Sequence, residues 1–163
     1  MKSFKIIPIL VMCMLFGFAL QAQKHESEAA VINFSVDQPA GLAVGSTTKF
    51  KIEVTPKAGW HVYSAIPSED GAYMQAELGW EIDSRGFEAA AKVQEEGGMV
   101  EMYDDIMAGM MRYYKGNVTF SQELKVTETE VILVGYFDYM ACNEAKCIPL
   151  GAKFKLSFTA AEN

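Results

Sequence analysis

The sequence predicts an all-β protein of the immunoglobulin-like, antiparallel β-sandwich class, and three observations support this prediction. Apolar and polar residues alternate with a period of two in several runs, as in strands that have one buried and one exposed face. Clusters of Gly, Pro, Ser and Asp separate these runs. The runs amount to about seven short strands, and strands at this spacing are typical of such a sandwich.

The predicted strands follow one another along a single domain that spans residues 23–163. Clear alternation marks four of them, and three more are shorter or more uniformly apolar. Turn residues at positions 39–41, 56–59 and 68–71 divide them, and no internal repeat or linker interrupts the chain. The only sustained stretch compatible with a helix is 87–96, which Gly97 and Gly98 would end. The predicted strands are residues 32–36, 49–55, 60–64, 78–83, 118–126, 131–137 and 153–158.

The first 22 residues have the pattern of a secretory signal peptide. Lys2 and Lys5 precede the apolar run 6–20, and the small residue Ala22 follows it. The apolar run is shorter than the roughly 20 residues that usually span a bilayer. We therefore expect cleavage near Ala22, export to the periplasm, and loss of Cys13 with the signal.

The charge of the chain argues against nucleic acid and anionic lipid as partners. Its 163 residues include 14 Lys and Arg against 21 Asp and Glu, a net charge of −7, which becomes −9 without Lys2 and Lys5. We expect no stable membrane insertion after signal removal. Because the exported protein would occupy an oxidising compartment, a disulfide could form and persist there.

Cys142 and Cys147 are the only cysteines outside the predicted signal, and they lie at the mouth of a predicted hairpin. Closing a loop of four intervening residues would stabilise the fold by only about 2 kcal/mol in the loop-closure model. The polar connection should leave the sulfurs accessible, as thiol–disulfide exchange requires. Exchange, a structural disulfide and metal binding all remain open, although two thiolates with only His25 and His61 elsewhere make a poor zinc site.

The charges near the pair do not decide which sulfur reacts first. Lys146 would favour the thiolate of Cys147, whereas Asp138 and Glu144 would oppose ionisation.

The residues around the pair resemble the amino-terminal periplasmic domain of the DsbD family of membrane thiol:disulfide interchange reductases. The similarity lies in residues 142–149, Cys-Asn-Glu-Ala-Lys-Cys-Ile-Pro, after a strand that ends at 135–137, Gly-Tyr-Phe. Residues 59–64, Gly-Trp-His-Val-Tyr-Ser, also resemble an aromatic strand of that domain. The chain departs from the family pattern at Leu150, where members commonly carry a second proline, and in its short cysteine spacing.

The resemblance implies an immunoglobulin-like sandwich whose cysteine pair relays reducing equivalents. Cys142 and Cys147 would take electrons from a membrane thiol electron carrier and pass them to periplasmic thioredoxin-like or disulfide proteins. Such a relay needs no cofactor. The membrane carrier and the thioredoxin-like domain of the DsbD family are not found in this sequence, so the reductant would come from a partner. Whether the chain is an enzyme in its own right stays open.

A methionine-rich segment precedes the last strands and allows three interpretations. Thioethers favour Cu(I), but methionine is more often flexible apolar filler. The resemblance implies a third role, since related domains cover their cysteines with a mobile cap loop. Met102, Tyr103 and Asp104 stand in the corresponding part of the chain, and we expect them to form this cap. The segment contains Met99, Met102, Met107, Met110 and Met111.

Other catalytic patterns are missing from the sequence. The carboxylates show no recognisable catalytic pairing, there is no Gly-rich phosphate loop, and His61 is expected to be a solvent-facing or hydrogen-bonded histidine. The sequence therefore favours a thiol–disulfide exchange module. The alternatives are a secreted β-sandwich binding module with a purely structural disulfide, and a Cu(I)-handling protein.

Overall fold

The structure is a computed structural model that describes residues 22–37, 41–68, 73–105 and 108–162. The predicted signal peptide, except for Ala22, lies outside the described residues. The described residues contain ten β-strands and no helix, and all strand pairings are antiparallel. The strands are β1 (Gln23–Glu26), β2 (Ala30–Val36), β3 (Thr47–Pro56), β4 (His61–Tyr63), β5 (Glu77–Trp80), β6 (Phe87–Ala89), β7 (Gln94–Asp104), β8 (Gly109–Val126), β9 (Glu130–Cys142) and β10 (Cys147–Thr159).

The strands follow the order β1-β2-β3-β8-β4-β9-β10, with β5 paired to β9 and both β6 and β7 paired to β8. The long strand β8 joins two parts of the sandwich. Its carboxyl-terminal half pairs with β3, and its amino-terminal half pairs with β4. The predicted all-β class and immunoglobulin-like antiparallel sandwich are confirmed.

Aromatic side chains fill the core between the two layers. The Phe154 ring on β10 lies 4.8 Å from Phe34 on β2 and 4.7 Å from Phe50 on β3, although β10 is not a neighbour of either strand in the sheet order. Phe120 on β8 likewise lies 5.0 Å from Phe137 on β9. Tilted ring contacts of this kind add packing energy beyond the area they bury, and they hold the layers face to face.

The predicted strands are all present, and several are longer than the sequence pattern indicated. The helix-compatible stretch 87–96 is not a helix: it contains β6 and the beginning of β7. Phe87 pairs with Val126 and packs its ring 4.8 Å from Trp80. A helix here would have had only two large apolar residues, Phe87 and Val93, to bury, so pairing with β8 determines the local structure instead.

Candidate thiol–disulfide site

Cys142 and Cys147 face each other at the mouth of the β9–β10 hairpin and form a disulfide. Cys142 ends β9, Cys147 begins β10, and their Cα atoms are 4.0 Å apart. The predicted position at a hairpin mouth is therefore confirmed. Direct cross-strand partners of an antiparallel pair have the closest side chains in a sheet, so the fold itself brings the two sulfurs together.

The connecting turn is held by its own hydrogen bonds. The Asn143 N–H donates to the Lys146 carbonyl at 2.9 Å, and the Asn143 side-chain oxygen accepts from the N–H groups of Ala145 and Lys146, each at 2.9 Å. Side-chain bonds of this kind from Asn are a common way to fix a tight turn. The hairpin therefore has support that does not depend on the disulfide.

The two cysteines differ sharply in exposure. Cys142 is only 2% exposed, whereas Cys147 is exposed. An incoming thiolate must approach a disulfide sulfur directly. The structure therefore distinguishes the two cysteines, which the charges in the sequence did not, because only Cys147 is exposed to solvent.

Cys142 belongs to a small aromatic cluster on the opposite face of the sheet from the main core. Its chain neighbour Ala141 packs into the main core, and the alternation of the strand turns Cys142 the other way. We call this group the cysteine cluster; it consists of Tyr63, Tyr73, Met111, Tyr113 and Cys142.

Tyr73 covers the cluster from the connection between β4 and β5. Its ring stacks on Tyr63 with centroids 5.0 Å apart, and its hydroxyl donates to the Ile66 carbonyl at 2.6 Å. The connection closes at its base, where the Ala76 N–H donates to the Ser64 carbonyl at 2.9 Å. Tyr73 is thus held by its ring and by its hydroxyl within the cluster that contains Cys142.

Glu95 on β7 anchors this connection. One carboxylate oxygen accepts from the Ala65 N–H at 2.5 Å, and the other accepts from the hydroxyls of Ser64 at 2.8 Å and Tyr114 at 2.5 Å. Burial is the main cause of the raised pKa of Tyr114, and the hydrogen bond to the Glu95 carboxylate adds to it. The Tyr114 hydroxyl therefore stays protonated and donates. Sequence analysis missed Glu95 because nothing local distinguishes it from its exposed neighbour Glu96.

The ammonium group of Lys146 contacts residues outside the turn. Lys146 Nζ lies 2.9 Å from Glu28 Oε2 and 5.5 Å from the centre of the Trp60 ring. Asp138 and Glu144, the two carboxylates expected to oppose ionisation of the thiols, are exposed.

The predicted cap residues lie at the end of β7 rather than in a loop, and only part of the set faces the cluster. Met102 is the register partner of Met111, and its sulfur accepts a hydrogen bond from the Tyr113 hydroxyl at 3.3 Å. Tyr103 alternates to the other face and is 56% exposed. Asp104 lies on the same face of β7 as Met102. Burial is the main cause of the raised pKa of Tyr63, and the charges of Tyr113 and Asp104 add to it.

His61, which was expected to be a solvent-facing or hydrogen-bonded histidine, lies beside the cysteine pair. It is half-buried on β4 and is the register partner of Cys142 on β9. Burial, with the nearby charge of Lys115, lowers the pKa of His61. Gly59, with φ of +81°, makes the turn that leads into this strand. This glycine turn before an aromatic strand was the one local feature of the sequence that marked the position of His61.

A cleft of about 400 Å³ opens beside the cysteine turn. His61 and two residues of the cysteine turn, Asn143 and Glu144, line the same cleft. Its lining includes Trp60, His61, Tyr113, Lys115, Asn143 and Glu144.

Among the described methionines of this segment, only Met102 and Met111 are cross-strand partners. Met99 packs against the main core, Met111 is in the cysteine cluster, and Met110 pairs with Tyr103 on the opposite face. Met107 lies outside the described residues. Within the described ranges, no three His, Cys, Asp or Glu side chains gather as a metal site would require, and no helix could cross a membrane.

The family comparison adds an independent observation. Residues 23–159 match the family model described as the amino-terminal domain of the thiol:disulfide interchange protein DsbD. The chain belongs to this family. It is therefore a thiol–disulfide interchange domain, and its cysteine pair is at disulfide distance. None of the curated proteins compared with the chain matches it.

One solved structure supports the fold. The N-terminal periplasmic domain of ScsB from Proteus mirabilis aligns with a TM-score of 0.55 and 20% identity, over 80% of this chain and 47% of that one. The chain thus spans about half the length of that structure. The DsbD N-terminal domain from Neisseria meningitidis, in the reduced form, aligns with a TM-score of 0.48 and 15% identity, over 81% of this chain and 87% of that one.

Proposed function

We propose that this domain is a periplasmic relay that carries reducing equivalents through Cys142 and Cys147. It would accept them from a membrane thiol electron carrier and deliver them to periplasmic thioredoxin-like or disulfide proteins. The observation that carries the proposal is the asymmetric pair, with Cys147 exposed and Cys142 buried, in a chain of this family.

The chemistry requires only the two sulfurs. A carrier thiolate attacks Cys147, the Cys142–Cys147 bond breaks, and Cys142 leaves as a thiolate that takes up a proton. A second carrier thiol then attacks the mixed disulfide, so the carrier is oxidised and the pair is reduced by two electrons. In the delivery half, the Cys147 thiolate attacks a partner disulfide, and Cys142 resolves the mixed disulfide that results.

A purely structural role explains this disulfide less well. Pairing between β9 and β10 runs without a break from Cys147↔Cys142 to Thr159↔Glu130, and Asn143 already fixes the turn. A disulfide that closes so short a loop adds only about 2 kcal/mol to a hairpin that is already formed. The stabilising role would be better served by joining distant strands.

Location in the periplasm is part of the same proposal. The amino-terminal sequence pattern supports export, and an oxidising compartment is where exchange partners and persistent disulfides occur together.

The test is to trap the mixed disulfide in cells with each single-cysteine variant. Cys142→Ser leaves the exposed Cys147 without its resolving thiol, so it should accumulate disulfide-linked complexes that reductant dissolves on a non-reducing gel. Cys147→Ser is the matched control and should accumulate few, because Cys142 is covered. Equal, low trapping by both variants would favour the secreted binding module with a structural disulfide.

A further inference from the structure

Resolution of a mixed disulfide at Cys147 depends on a proton leaving Cys142. A thiol becomes an effective nucleophile only as the thiolate. In this protein Cys142 is 2% exposed and surrounded by tyrosine and methionine side chains. Because a charge removed from water without a partner is costly, the thiolate needs a neighbouring group that accepts the proton.

His61 is the group placed to do so. It lies directly across from Cys142 on the adjacent strand, and such partners have Cβ atoms about 4.5–5.5 Å apart on the same face of the sheet. The His61 ring lies 4.5 Å from Tyr113 and 5.5 Å from Tyr63, and both tyrosines are in the cysteine cluster.

The groups around His61 keep its imidazole neutral near pH 7. Burial is the main cause of its lowered pKa, and the Lys115 ammonium adds to it. A neutral imidazole has one ring nitrogen free to accept a proton. The titratable and charged groups around it are Tyr63 on its own strand, Tyr113 and Lys115 on β8, Cys142 on β9, and Lys57 and Glu144 on the wall of the cleft.

We infer that His61 is the general base for Cys142 in the resolving step of the relay. The inference rests on the proposed function. The Cys142 proton moves to an imidazole nitrogen, the Cys142 thiolate attacks Cys147, and the partner sulfur leaves as a thiolate. The internal disulfide forms as the mixed disulfide breaks, so electrons and atoms balance, and His61 releases its proton to water in the adjoining cleft.

The experiment separates the two steps with a chromogenic aryl disulfide that releases one coloured thiolate per bond broken. The reduced protein should release a first equivalent when Cys147 attacks and a second when Cys142 resolves. His61→Gln keeps a similar size and polarity but is not a base. At pH 7 it should leave the first release unchanged and slow the second about 10²-fold, the lower end of general-base effects.

Two further measurements distinguish a base from a structural residue. The deficit of His61→Gln should shrink as the pH rises well above about 8.5, the pKa of a free thiol, because the thiolate then forms increasingly without a protein base. In His61→Ala, added imidazole should enter the cleft and restore the second release. His25→Gln on β1 is the matched control and should behave like the parent protein.

The outcomes distinguish this inference from the proposed function. An unchanged second release in His61→Gln, or a deficit that is the same at all pH values and resists imidazole, would overturn the role of His61 while leaving the relay intact. If the parent protein itself gave no second release, the relay and the role of His61 would both fail.

Discussion

The Tyr113 hydroxyl donates a hydrogen bond to the sulfur of Met102 at 3.3 Å, and this contact ties the end of β7 to the cluster that buries Cys142. Met102 is itself 46% exposed. It therefore lies between the Tyr113 hydroxyl and solvent at the end of β7.

We expect Met102→Ala to expose Cys142 without unfolding the protein. In a reduced Cys147→Ser background, the variant should increase the rate of Cys142 alkylation by iodoacetamide severalfold, because a side chain in contact with the cluster is gone. Stability should fall by about 1 kcal/mol or less, since the side chain is half exposed. Mass spectrometry of the alkylated protein provides the rate.

Tyr103→Ala is the informative companion variant. Tyr103 faces away from Met102 along β7 and is 56% exposed. Tyr103→Ala should therefore increase the alkylation rate of Cys142 less than Met102→Ala does. An unchanged rate in Met102→Ala together with strong destabilisation would leave the cap role of this segment without support.

Glu95→Gln should destabilise the fold by about 1–3 kcal/mol, the usual cost of leaving buried donors without an acceptor. The amide nitrogen that replaces one carboxylate oxygen donates and does not accept. Either the Ala65 N–H, or the hydroxyls of Ser64 and Tyr114, would therefore lose the acceptor that Glu95 now provides. Urea unfolding provides the measurement. Glu96→Gln, on the exposed face of the same strand, should shift stability by no more than about 0.5 kcal/mol, and equal effects of both variants would contradict the anchoring role.

The strands and the cysteine pair could be predicted because their signals are local. Alternation at Phe50 and Ile52 or at Phe154 and Leu156 specifies a strand face without reference to the rest of the chain. The two cysteines are separated by a single turn, so a hairpin was enough to bring them together.

The environment of the pair could not be predicted because it is built from distant parts of the chain. Cys142 is buried by Tyr73 from one connection and by Tyr113 and Met111 from β8. His61 meets Cys142 only because the short β4 pairs with β9. The stretch 87–96 was misread for the same reason, since its pairing with β8 outweighs its local composition.

Acid should weaken the fold partly through His61. Because its pKa in the folded protein lies below the ordinary value of 6.5, the unfolded chain binds the proton more readily. The stability tied to this group is present above about pH 6.5 and is lost as pH falls toward the folded pKa. In urea unfolding between about pH 7 and pH 5.5, His61→Gln should lose less stability than the parent, by at most about 1.4 kcal/mol per pH unit. A parent slope in His61→Gln would contradict the assignment.

The reduction potential of the Cys142–Cys147 couple tests the exchange role most directly. Equilibration of the protein against a glutathione or dithiothreitol series, followed by acid quenching and thiol counting, gives the value. Catalytic couples lie at roughly −120 to −270 mV, whereas structural disulfides in secreted proteins lie below about −300 mV. We predict a value within the catalytic range, and a value below about −300 mV would contradict the relay and identify the disulfide as structural.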